Sequence, residues 1–142
     1  MNHDDARAFA DRWVRAWNAH DLDTLLEHFA DDVVFTSPVA ARLLGGDGII
    51  RGKEALRAYW TEGLARIPDL RFEVLGVYVG VGTLVINYRN QVGGVVNEVL
   101  TFGGNGEDSG NGGNGGDAGG LVTHGHGTYL DGGANPAGLR AD

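Results

Sequence analysis

Few residues in this sequence can do acid–base chemistry from an apolar setting, and Glu98 leads them. It stands in the run Val96-Asn97-Glu98-Val99-Leu100-Thr101-Phe102, where every second residue on one side is apolar apart from Glu98 itself. On a strand that alternation places Glu98 on one face with Val96, Leu100 and Phe102. A carboxyl in such company either has its pKa raised and serves as acid or base, or is held ionised by a partner. Arg89 is the expected partner. If Gly93-Gly94 are the two loop residues of a primed hairpin turn, Arg89 faces Glu98 and Asn87 faces Leu100. Two readings of the pair stay open: a clamp for a ligand carbonyl or hydroxyl, or a cross-strand ion pair worth less than ~1 kcal/mol when solvated.

Trp13, Trp17, Phe35 and Trp60, with Leu100 and Phe102, are the candidate walls of an apolar ligand site, or plain core. Ser37 and Asn87 would add orienting hydrogen bonds. His124 and His126 lie two apart on one strand and share a face, but a metal would need a third ligand and none is evident. Leu121, Thr123, Gly125, Gly127 and Tyr129 form the other face; their small residues mark it as interior and leave both histidines outward, in a sheet-surface or subunit-contact role.

The elements that position these residues follow from periodicity. Ala6, Phe9, Ala10, Trp13, Ala16 and Trp17 form one stripe of an amphipathic helix from Asp4 to Trp17. Asp21 caps a short second helix with Leu22, Leu25, Leu26 and Phe29 inward. Val33 to Ser37 reads as a strand stopped by Pro38. Ala40 to Gly52, with four glycines, reads as a loop. A third helix spans about Lys53 to Ile67, with Tyr59 and Trp60 inward, and ends at Pro68. Leu70–Val79, Thr83–Gln91, Val96–Phe102 and Leu121–Leu130 are strand-like. Helices followed by antiparallel strands describe an α+β domain.

Composition narrows the classes. The 142 residues suit one domain, 1–131, followed by a mobile tail, 132–142. Eleven Lys and Arg against 19 Asp and Glu leave a net charge of −8, which argues against a nucleic-acid partner. No apolar run is long enough to span a membrane, and the polar, acidic start does not resemble a secretory leader, so a cytoplasmic location is expected. There is no cysteine, hence no disulfide or thiolate chemistry. Ten of the 25 glycines fall within 103–120. That insertion contains two nonapeptides resembling the front half of a calcium β-roll repeat, yet both lack its large apolar residue. It reads as a flexible insertion at a hairpin tip.

The segments Trp13-Val14-Arg15-Ala16-Trp17-Asn18-Ala19-His20-Asp21-Leu22-Asp23, Phe29-Ala30-Asp31-Asp32-Val33-Val34-Phe35 and Gly52-Lys53-Glu54-Ala55-Leu56 resemble the SnoaL-like, polyketide-cyclase-like branch of the nuclear-transport-factor-2-like superfamily. Val96 to Phe102 and Gly125-His126-Gly127-Thr128-Tyr129 fit the same pattern. The resemblance implies a cone: a strongly curved antiparallel sheet wrapped by three N-terminal helices and open to an apolar pocket. It also implies where catalytic groups of relatives would fall. The proton-abstracting aspartate of steroid isomerases falls at Ser37, their oxyanion tyrosine at about Trp13 and their second pocket acid at Glu98. The acid/base aspartate of polyketide cyclases falls at Gly127. Both sets are incomplete here, so neither activity transfers directly.

The expectation is a domain that binds a small apolar organic molecule, with Glu98 and Arg89 as candidate catalytic residues for proton transfer next to a carbonyl, without metal, nucleotide or other cofactor. The alternative is a non-catalytic binding or dimerisation module, pairing with a second copy through an outward sheet face. A calcium-responsive module on 103–120 is a third reading.

Overall fold

A computed structural model describes residues 1–103, 120–132 and 135–140. The glycine-rich segment 104–119, with its calcium-repeat reading, lies outside the described residues.

The first helix, α1 (His3–Asn18), starts where Asn2 accepts a hydrogen bond from the Asp5 N–H, and buries the expected stripe. Asp21 caps α2 (Leu22–Leu26) by accepting from Thr24. Strand β1 (Phe29–Thr36) ends at Ser37. The expected loop after it contains a helix, α3 (Pro38–Leu44), and a short strand, β2 (Ile49–Arg51). The local cause is ordinary: Ser37 accepts from the Val39 N–H, Pro38 occupies the first helical turn, and Gly45 at φ 79° ends it. Helix α4 (Lys53–Arg66) follows, then β3 (Glu73–Gly80), β4 (Thr83–Arg89), β5 (Val95–Gly103) and β6 (Leu121–Tyr129).

The six strands form one sheet in the order β2-β1-β6-β5-β4-β3. Pairings are antiparallel except β1 with β6, which run parallel, so the sheet is mixed. The curved, unclosed sheet packs its inner face on the helices, giving the expected α+β cone with, among the described residues, four helices in place of three. A reciprocal pair of hydrogen bonds ties α1 to the approach of β3: Asn18 donates to the Phe72 carbonyl (3.0 Å) and accepts from its N–H (2.7 Å). No helix among the described residues is long and apolar enough to cross a membrane.

The β4–β5 hairpin corrects the expected register. Asn90 and Gly94 close it, with Asn90 N–H donating to the Gly94 carbonyl (2.8 Å), so the loop is Gln91-Val92-Gly93. Gly93 takes φ 82°, the left-handed residue that a three-residue hairpin loop requires. Two loop residues become three and the pairing sum changes parity, which exchanges the faces of β4. Glu98 pairs with Ile86, Asn87 with Asn97, and Arg89 with Val95. Arg89 and Asn87 therefore lie on the outer face. Arg89 meets Glu73 at 3.3 Å and Asn87 donates to Asn97 at 2.9 Å; neither reaches Glu98 as expected.

A second shift, between Thr101 and Phe102 opposite β6, brings Val122 inward where Leu121 and Thr123 were expected. Beyond it, Gly125, Gly127 and Tyr129 keep the interior face, and His124 and His126 point away from it. Of the C-terminal tail, expected from composition to be mobile, residues 135–140 make specific contacts described below.

Candidate active site: a buried carboxyl among tyrosines

Glu98 is 4% exposed at the wall of a cavity between the inner sheet face, α4 and the C-terminal segment. Alternation on β5 puts it there between Val96 and Leu100, both buried. Of the residues singled out in the sequence, Trp17, Phe35, Ser37 and Trp60 line the same cavity. Trp13, Leu100 and Phe102 do not. Trp13 is core, stacked on Phe72 at 5.8 Å. Leu100 is fully buried, and Phe102 packs edge-on against Phe9 at 5.3 Å.

The groups that surround Glu98 are hydroxyls. Tyr88 on β4, Tyr59 on α4, Tyr129 on β6 and Ser37 at the end of β1 all line the cavity. Sequence reasoning assigned none of these tyrosines to the site. Tyr88 was lost with the hairpin register. Tyr59 and Tyr129 carried a usable signal, since both sit at positions already assigned inward.

Electrostatics follow from the missing counter-charge. Burial pushes the Glu98 carboxyl up to about 7, and a hydrogen bond from the Tyr88 hydroxyl pulls the other way more weakly. Burial also raises Tyr59, to about 12, and raises Tyr129 and Tyr88 well above the ordinary phenol value. Hydrogen bonding with Ser37 opposes the shift in Tyr59 and Tyr129. At neutral pH the cavity thus holds a carboxyl poised between its two forms and phenols fixed as donors. Among the described residues no lysine, arginine or histidine lines it.

Two glycines on β6 shape the space. A Cβ at Gly125 would stand 2.8 Å from Phe35 Cδ1, so glycine is what lets the Phe35 ring lie against the sheet. A Cβ at Gly127 would meet Glu98 Oε1 and Ser37 Oγ at an ordinary 3.7 Å. Gly127, paired with Glu98 across the strands, leaves free room beside the acid. The cavity amounts to about 70 Å³ for the centres of water-sized spheres, against the about 10–15 Å³ that one water needs. Two polar atoms of cavity residues are buried with no partner: the Trp17 indole N–H, a donor, and Gln91 Oε1, an acceptor. Trp13 Nε1 is also unpartnered but does not line the cavity.

With this geometry in view, the likenesses to known proteins can be placed. Residues 10–111 match the model of the SnoaL-like domain. A SnoaL-like protein of unknown function from Burkholderia thailandensis shares 36% identity over 92% of this chain and 99% of its own, with a TM-score of 0.76. A nuclear-transport-factor-2-like protein of unknown function from Burkholderia pseudomallei is 15% identical, covers 92% of both chains and superposes with a TM-score of 0.65. AclR from Streptomyces galilaeus is 16% identical over 91% of both chains, with a TM-score of 0.63. The last two show the fold alone. None of the curated proteins compared with the chain matches it. The family match covers most of the sequence, and the 36% identical structure spans nearly the whole of both chains: the chain belongs to the SnoaL-like domain family.

Proposed function

We propose that the chain binds a compact, uncharged, ring-bearing carbonyl compound in the Glu98 cavity and transfers a proton at the carbon beside the carbonyl, as in an isomerisation, cyclisation or dehydration. One observation carries this reading: a buried carboxyl with a pKa of about 7 opens into an aromatic cavity that has, among the described residues, no cation to fix its charge. In its ionised form Glu98 removes the proton; once protonated it returns that proton to another carbon or to a leaving hydroxyl. The negative charge that develops on the substrate oxygen needs donors. Tyr59 and Tyr129, which line the cavity and are held protonated by burial, can supply them. The absence of any basic lining residue among those described disfavours phosphorylated or carboxylated substrates.

A thermal-shift screen of cyclic ketones, phenols and polyketide-like aromatics, followed by solvent-deuterium exchange into each hit, tests the reading. Wild-type protein should exchange the hydrogen beside the carbonyl, and Glu98→Gln should not. Binding without exchange by either protein would leave a non-catalytic binding module.

The outer sheet face favours a second copy of the chain as partner. Tyr78, Val85, Val99 and His126 form one cross-strand row over four strands, and Tyr78 is 60% exposed. Uncharged Asn87, Asn97 and Thr128 flank it. Sedimentation of wild type against Val99→Glu should show a dimer and a monomer; a monomeric wild type would overturn this assignment.

A further inference from the structure

One wall of the cavity, beside α4 and the β4–β5 loop, is made by the C-terminal segment. Ala137, 5% exposed, and the half-buried Leu139 line it directly. The segment is held by side chains of the β4–β5 loop: Asn90 Nδ2 donates to the Pro136 carbonyl at 2.8 Å and Gln91 Nε2 to the Ala137 carbonyl at 2.7 Å. At its far end Arg140 N–H donates to the Arg66 carbonyl on α4 at 2.9 Å, and its guanidinium lies 3.6 Å from Asp69. Asn135 braces the turn from within, donating to the Leu139 carbonyl (2.9 Å) and accepting from the Leu139 N–H (3.0 Å).

We infer that residues 135–140 form a detachable wall of the binding cavity, a strap whose release admits the ligand and whose Ala137 and Leu139 then close on it. This rests on the cavity being the binding site, but not on the chemistry assigned to Glu98. Three features carry the inference. The strap contributes only two apolar side chains to the cavity, so little hydrophobic burial resists its release. Its fastenings are hydrogen bonds and an exposed ion pair, groups for which water is a substitute partner when the strap lifts, so each resists release only modestly. Finally, one residue serves both latch and cavity: Gln91 lines the cavity and holds Ala137 through its amide nitrogen, while its amide oxygen is buried without a partner. A bound molecule packed against the Gln91 side chain steadies the amide that fastens the strap, so occupancy and closure support each other.

The fit of strap to loop is close. A Cβ on Gly94 would stand 2.6 Å from the Pro136 carbonyl, and one on Gly138 would stand 2.6 Å from Gln91 Nε2 and 2.8 Å from Val92 Cγ1. Gly138 also holds φ 74°. Gly138→Ala is therefore a way to lift the strap without removing it.

The experiment compares full-length protein, Gly138→Ala and a chain ending at Gly132. Trp17 and Trp60 line the cavity, so quenching of tryptophan fluorescence by acrylamide reports whether the wall is in place. Both variants should be quenched severalfold more efficiently than the full-length protein. The carboxyl titration of Glu98, followed by carbon NMR and assigned with Glu98→Gln, should move down toward the ordinary carboxylate range as water reaches it. The neutral fluorophore 2-naphthol should associate faster with both variants. Unchanged quenching and titration in folded Gly138→Ala and in the shortened chain would overturn the strap. If the shortened chain does not fold, Gly138→Ala decides alone. Failure of 2-naphthol to bind any of the three proteins would count against the cavity as a binding site; the quenching and titration results would still judge the wall.

Discussion

Glu98 and Glu73 stand one strand apart from a shared neighbour in the same sheet and live under opposite conditions. Glu73, on the outer face of β3, is exposed and meets Arg89 at 3.3 Å with both side chains in water. Glu98, on the inner face of β5, is buried among Tyr88, Tyr59 and Tyr129 and meets no cation among the described residues. The difference teaches that an ion pair is not what makes a carboxyl useful. Solvent screens the exposed Glu73, and its pair with Arg89 is worth at most about 1 kcal/mol. Desolvation without a cationic partner keeps Glu98 near its midpoint at neutral pH, the condition under which a group can both take and give a proton.

The harshest test of that contrast is Glu98→Gln. It preserves shape and a hydrogen-bond acceptor for Tyr88, yet removes the titrating group. Proton exchange into a ketone ligand should fall about 10²- to 10⁴-fold, read by NMR in deuterated buffer. A variant that keeps near wild-type exchange would move the chemistry away from Glu98.

Stability against pH probes the same group without a substrate. The folded-state pKa of about 7 lies above the ordinary value of 4.5, so the native state holds the proton more tightly than the unfolded chain does. Below about pH 4.5 both states are protonated and burial of Glu98 carries no ionisation penalty. The penalty grows as pH rises from 4.5 to 7 and is constant above, reaching roughly 3 kcal/mol. Urea unfolding of wild type and Glu98→Gln should therefore give similar stabilities at pH 4.5, with the variant gaining about 3 kcal/mol on wild type by pH 8. Parallel curves across that range would mean that Glu98 is solvated or paired.

How much of this contrast was legible in the sequence depends on which contacts set it. The inward position of Glu98 was legible because a strand alternates with period two whatever its partner does, and Val96 and Leu100 anchor the face. The outward position of Arg89 was not. It depends on the number of residues in the loop, and Gly93-Gly94 suggests a two-residue turn while Asn90 imposes a three-residue one. Asn90 does so by accepting from the Val92 and Gly94 N–H groups. That single residue of difference moved Tyr88 into the site and Arg89 and Asn87 out of it. The helix and short strand inside 38–51 were legible in part: Ser37-Pro38 before Val39 and Ala40 is a helix start, obscured by the glycines that follow. Trp13 and Phe102 show the limit of composition, since an aromatic on the inner face packs as core or lines a cavity according to tertiary contacts alone.

The two glycines on β6 sharpen the contrast within the inner face itself. Gly125→Ala forces a methyl to within 2.8 Å of the Phe35 ring and should cost about 1–3 kcal/mol in chemical denaturation. Gly127→Ala meets only ordinary contacts, so its cost should be smaller, while its methyl fills the space beside Glu98 and weakens ligand binding. Equal costs at the two positions would mean that the Phe35 ring moves freely and does not define the cavity.

Arg89→Ala should have the smallest effect, and its smallness is informative. The guanidinium is about half exposed, and its pair with Glu73 spans the outer face. Its removal should cost less than about 1 kcal/mol, diminish further at high salt, and leave the Glu98 midpoint where it is. The full thickness of the sheet lies between Arg89 and the acid, with Tyr88 and Ile86 facing inward in its place. A Glu98 titration that moved on removal of Arg89 would join the two faces electrostatically. The carboxyl would then owe its position near neutrality to a distant charge, and no longer to the dry, cation-free wall of tyrosines around it.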